Sequence, residues 1–277
     1  MTAWFDHPAV QAAVLPFAVA LVLGLLLART RYLAVVAVCG MLVLLYLTIG
    51  FALEPMTSVR KLVVVTLAAG VLASVVEVAA FRGRKSLITS LAVAAGLAAV
   101  WVAWRLLGQM DAGPAVLAGL AIFTFVLSLV GGTLALSADP LRASVLGTAL
   151  GWGNGALAVL GASALLGQIG IALGTACAGA ALAQMLFGRA APSGWTVGLP
   201  GSMGAALVGV LAVLTGELHW YLLTPLLLVP IAARLVPSGG SRRLWQSAFL
   251  AGFAALGPVA VAIGWAWMSA KATVSAG

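Results

Sequence analysis

The sequence predicts an all-α protein, a polytopic transmembrane helical bundle of about ten spans with both termini on the non-cytoplasmic side. Three observations carry that expectation. Hydrophobic residues make up 64% of the 277 and charged ones only 7%, where a soluble domain carries about a quarter charged residues. No soluble interior is large enough to hide so much apolar surface. The apolar residues also fall into runs of about 20, the length a helix needs to cross about 30 Å of hydrocarbon. Finally, most of the 14 Lys and Arg stand between those runs or near their ends, where cytoplasmic loops and anionic headgroups would meet them.

In order, the runs cover 9–28, 32–53, 62–81, 87–107, 114–136, 140–165, 168–187, 197–215, 220–236 and 244–268. The first follows Asp6 and His7, with no Lys or Arg before it and no small-residue cleavage site ahead of Arg29 and Arg31. It therefore reads as a span and not as a cleaved signal peptide. The run over 140–165 is opened by Asp139-Pro140, an N-cap followed by proline at the first helical position. The run over 197–215 is the weakest, because GRAAPSGWTVGLPGSMG before it reads as a loop and Pro200 is expected to break the helix at its start. Pro225 and Pro230 interrupt 220–236, and Gly257-Pro258 interrupts 244–268. Each break frees backbone groups that must find partners or line a cavity, and broken helices facing a midplane site are typical of secondary transporters.

If the spans alternate, Arg29, Arg31, Arg82, Arg84, Lys85, Arg142, Arg189, Arg234, Arg242 and Arg243 share one side, against Arg60, Lys61, Arg105 and Lys271 on the other. The richer side is cytoplasmic, which puts both termini outside. Trp220, Tyr221, Trp265 and Trp267 then fall in an outer aromatic belt, and His219 reads as an interfacial residue within it. The connections are short, so residues 1–277 form one integral membrane domain. Charges about 160 residues apart, such as Glu54 with Glu217 and Arg84 with Arg242, suggest a weak repeat of 1–110 with 165–277 around a central helix pair.

The polar residues within the runs are the candidate sites. At about 100° per residue, Ser144, Gly147, Gly151, Asn154, Gly155, Ala158 and Ala162 lie on one stripe of 140–165. Gly170, Gly174, Cys177, Ala178, Ala181 and Gln184 form a second on 168–187. Such small-residue ridges let backbones approach closely where no water drives association, so the two spans are expected to form an antiparallel hairpin turning near Gly167. Counting from that turn puts Asn154 and Gln184 within about one helical turn of the same depth. Asn154 either hydrogen-bonds to a neighbouring helix or lines a substrate path. Glu77 shares a small, bundle-facing stripe with Thr66, Gly70, Ala73 and Ser74. It either takes up protons or a cation or reaches out to Arg82 or Arg84.

Several function classes are excluded on chemistry. Cys39 and Cys177 stand alone in apolar runs, with no disulfide pattern or metal-ligand spacing. There is no phosphate-binding loop, no metalloprotease helix and no nucleophile elbow, and two His with one intramembrane acid make an enzyme improbable. No cofactor is expected, and the scattered basic residues speak against nucleic acid. The expected function is a small secondary transporter or flippase-like carrier for a lipid-like or amphiphilic molecule in the bacterial inner membrane, with Glu77, Asn154 and Gln184 along its path. The rival is a non-catalytic subunit or assembly factor of a larger membrane complex. Expected partners are membrane lipids, together with other membrane subunits or further copies of the chain.

Overall fold

The computed structural model describes residues 10–27, 54–79, 84–187, 194–216, 218–237 and 244–276, and among these the chain is helical with no strand. Helix α1 (Leu15–Leu27) continues a π-helical turn over Val10–Val14. It is followed by α2 (Ser58–Ala79), α3 (Arg84–Leu107), α4 (Ala112–Ala135), α5 (Pro140–Gly161), α6 (Ala164–Phe187) and α7 (Gly194–Thr215). A 3-10 segment over Trp220–Leu228 runs into the short α8 (Val229–Leu235), and α9 covers Leu244–Ala276. Seven of these helices, α2 to α7 and α9, are long and apolar enough to cross a membrane, while Val10–Leu26 and Trp220–Leu235 are shorter apolar segments. The architecture is that of an integral membrane helical bundle. The predicted span over 32–53, with Cys39, lies outside the described residues, as do Arg82 and, of the suggested repeat, Glu217 and Arg242.

The helix that the sequence makes weakest is the centre of the bundle. In α7, 94% of the apolar stretch is buried, against 28% in α2, α4 and α9, and its neighbours are α5, α2, α4 and α6. Pro200 does not break it: the helix already begins at Gly194 and passes through the proline. Pro200 removes one N–H, the donor to the Thr196 carbonyl, and a helix held on all sides tolerates that loss. The glycines that gave this stretch its loop-like look are points of close approach. A methyl group on Gly201 would lie 3.2 Å from Cys177 Sγ of α6, and one on Gly204 would lie 2.7 Å from Leu173 and 3.0 Å from Thr66 of α2.

The α5–α6 hairpin forms as the two stripes predict, with its turn earlier than expected. Both Ala162 N and Ser163 N donate to Ala158 O, at 3.0 and 2.9 Å, and α6 starts at once. Gly147, Gly151 and Gly155 face Cys177, Gly174 and Gly170 so closely that a methyl group on Gly151 would lie 2.5 Å from Gly174 N. Without a hydrophobic drive between helices in lipid, this backbone proximity is what gives dispersion and weak hydrogen bonding their range. On its far side α6 carries α1, where Gly179 meets Phe17 O.

One further expectation holds and another changes. Asp139 caps α5 as predicted, accepting from Arg142 N at 3.2 Å with Pro140 in the first turn. Gly257-Pro258, by contrast, does not interrupt its span, since α9 runs unbroken from 244 to 276. Among the described residues, Pro225 lies within the 3-10 segment over Trp220–Leu228, while Pro230 sits in the first turn of α8, so the expected interruption of 220–236 is a change of helix type at Leu228–Val229.

Candidate functional site

The structure gives each sequence-predicted polar residue a partner inside the bundle. Glu77, half-buried near the end of α2, points at the first turn of α7. Its Oε2 accepts from Trp195 N at 2.9 Å, Thr196 N at 3.3 Å and the Thr196 hydroxyl at 3.5 Å. A helix N-terminus presents unpaired N–H groups and about half a positive charge, so a carboxylate supplied by another helix satisfies both. The stripe that carries Glu77 faces inward as expected: Thr66 and Ala73 are buried, and Thr66 sits against Gly204. Arg82 is outside the described residues.

Asn154 and Gln184 are not at one depth. The turn at Ala162–Ser163, in place of Gly167, leaves Asn154 about nine residues before it and Gln184 about 21 after it, a difference of about 18 Å along the hairpin. Gln184 Nε2 donates to Ser144 Oγ at 3.3 Å. Asn154 is fully buried, and its Nδ2 donates to Leu150 O at 3.0 Å within α5. Its Oδ1 abuts Gly209 of α7 and meets no donor among the described residues. It stands about 60° round the helix from Gly151, enough to turn it from α6 toward α7.

A buried charge that the sequence hides among loop residues is Arg142. Its Nε lies 3.1 Å from Asp139 Oδ2, and its guanidinium donates to Ala233 O at 3.4 Å and Val236 O at 2.7 Å, at the carboxyl end of α8. A cation suits that end of a helix. The signal was available in Asp139-Pro140, since a proline at the first helical position puts residue 142 inside the helix. Arg142→Met is expected to lower stability by about 1–3 kcal/mol, because it leaves two carbonyls without their donor. A chemical or thermal unfolding curve that coincides with wild type would show the clamp to be idle.

Four cavities stand out among the described residues, and none of Glu77, Asn154 and Gln184 lines any of them. Two of them, about 560 and 710 Å³, follow one another along the same furrow. Its floor is α5 from Val145 to Leu160, with α6 on one side and α9 on the other. On α9 the lining residues recur from Trp245 to Trp267, a length of about 33 Å. No charged side chain lines it, and Thr148, whose hydroxyl is already bonded to Ser144 O at 3.0 Å, is its hydroxyl group. Phe249 and Phe253 stand 71% and 75% exposed on its α9 wall, so the furrow opens sideways, away from the bundle. Comparison with family models, with curated proteins and with solved structures finds no match to this chain.

Proposed function

We propose that the protein is a small integral membrane carrier of flippase type, moving a lipid-like or amphiphilic molecule along the lateral furrow between α5, α6 and α9. The observation that supports this reading is the furrow itself. It is apolar, open to the side, and about as long as the hydrocarbon core is thick. An acyl chain entering sideways exchanges lipid contacts for protein contacts at little cost, whereas a sugar would need many hydrogen-bonding groups that the furrow lacks. The path is thus at the flank of the bundle, where Gln184 ties α6 to α5 through Ser144, while Glu77 joins α2 to α7 away from it.

The test fills the furrow. A methyl group on Gly252 would make ordinary contact with Val145 at 3.5 Å, and one on Gly264 would meet nothing within 4 Å, so both sites accept larger side chains. Gly252→Phe with Gly264→Phe is expected to slow movement of a fluorescent phospholipid across reconstituted vesicles by at least about tenfold, equivalent to about 1.4 kcal/mol in the barrier. Unchanged movement in a folded double variant defeats the furrow as a path.

The second reading, a non-catalytic subunit of a larger complex, draws on the use of Glu77, Asn154 and Gln184 for internal packing among the described residues. Purification from native membranes in mild detergent separates the two, since stoichiometric co-purification with other subunits favours the second. Both readings share one orientation, which rests on the ten-to-four division of basic residues. Contacts support that division: Arg142 reaches the end of α8, where Arg234 lies, and Lys61 Nζ sits 4.6 Å over the Trp101 ring, one turn from Arg105. The proposed location is the bacterial inner membrane.

A further inference from the structure

At one end of the bundle α5 and α7 stop side by side. Gly216, just past α7, packs against Gly161 O, and a methyl group on it would lie 2.6 Å from Ala162 Cβ. Beside that junction is a cavity of about 620 Å³, the most polar of the four, lined among others by Gly161, Gly216, Leu222, His219, Ser269 and Ala270.

The chemistry of this cavity favours one kind of ligand. The last carbonyls of a helix have no partner within it, and the aligned peptide dipoles leave about half a negative charge there. Neither α5 nor α7 carries a basic residue in its last turn to offset that charge. In α5, Ala158 O takes both available N–H groups of the turn, which leaves the Leu160 and Gly161 carbonyls at the helix end. Two helix termini therefore bring their negative potential to one place. The His219 ring and the Ser269 hydroxyl add further acceptor atoms. Both are held in place: Tyr221 Oη lies 3.3 Å from Ser269 Oγ, and the Tyr221 ring packs 5.5 Å from His219 and edge-on to Trp265 at 6.5 Å. A protonated primary amine, with a positive charge and three N–H donors, matches this set, while a quaternary ammonium, which has no N–H, does not.

The cavity also adjoins the furrow, because Leu160 lines both. We propose that it binds the protonated primary amine of an amphiphile, the phosphatidylethanolamine type of headgroup, whose chain lies in the furrow beside it. The inference rests on the furrow reading for its chain and on the cavity alone for its headgroup.

The experiment compares the lipids kept by the purified protein in native mass spectrometry after exposure to equal amounts of phosphatidylethanolamine, phosphatidylcholine and phosphatidylglycerol with matched chains. Wild type is expected to retain the ethanolamine lipid about tenfold over both others, equivalent to about 1.4 kcal/mol. His219→Lys, which brings a competing cation, and Ala270→Phe, which fills the space, are each expected to abolish the preference while the melting temperature holds. Equal retention of the three lipids by wild type overturns the proposal, as does an unchanged preference in both variants. Free ethanolamine at the lipid's concentration separates the two sources of the amine: continued lipid retention supports the headgroup assignment, and displacement overturns it. An ethanolamine preference that persists when the Gly252→Phe, Gly264→Phe protein still moves lipid at the wild-type rate sinks the furrow and leaves the cavity standing. Lost movement with equal retention does the reverse.

Discussion

Gly155→Leu is expected to destabilise the bundle by about 3 kcal/mol or more, at the top of the range for overpacking a filled interior. The new side chain would begin 2.7 Å from Ile171 N and 3.0 Å from Gly167 O. Both are backbone atoms of α6 and cannot rotate away, so α5 and α6 must separate along the seam where their glycines meet. Gly257→Leu serves as the control: a Cβ there meets nothing within 4 Å, and its effect is expected to stay within about 0.5 kcal/mol, as for a site without special contacts. Unfolding in increasing denaturing detergent reads both. If Gly155→Leu unfolds with wild type, the hairpin does not have this register.

Removing the Glu77 side chain is the second large effect. Glu77→Ala strips the first turn of α7 of an acceptor shared by two backbone N–H groups and a hydroxyl. The loss of a cap costs about 0.5–2 kcal/mol, and each buried donor left without a partner about 1–3, so a total of about 2–4 kcal/mol is expected. Glu77→Gln keeps an oxygen acceptor and loses only the charge, and should cost about 1 kcal/mol. Lipid movement distinguishes a positioning role from a coupling role. The glutamine variant should keep its rate at every pH, whereas a proton-coupling carboxylate would lose its pH dependence and its rate together.

The sequence and the structure agree most closely where a local rule acts. Asp139-Pro140 caps α5, and the spacing of Gly147, Gly151 and Gly155 against Gly170 and Gly174 describes a contact that exists. They part where a small error is multiplied. The expected turn at Gly167 is four residues late, and in an antiparallel hairpin each residue of displacement lengthens one arm and shortens the other. Asn154 and Gln184 consequently shift apart by twice that amount, about 12 Å beyond the expected offset. Glu77 was legible as a bundle-facing acid, but its partners are backbone amides in a stretch whose glycines read as loop. Glycine has the same appearance in a turn and in a crowded helix interface, and only the neighbours of Gly201, Gly204 and Gly209 tell the two apart. The furrow and the amine cavity leave no trace in periodicity, because they arise where α9 crosses α5 and where two helix ends coincide.

The central position of α7 bears on the order of assembly. A chain is synthesised and inserted from its N-terminus, and the helices that enclose α7, namely α2, α4, α5 and α6, all precede it. They are in the membrane before the helix they surround has been made. Until then Glu77 has no helix end to cap, and Gly147 and Thr66 face a space that α7 will fill. A nascent chain halted before residue 194 therefore lacks the helix against which Glu77, Gly147 and Thr66 pack. The bundle is closed from within by its seventh described helix, and α9 is laid against the outside of a structure already complete at its centre.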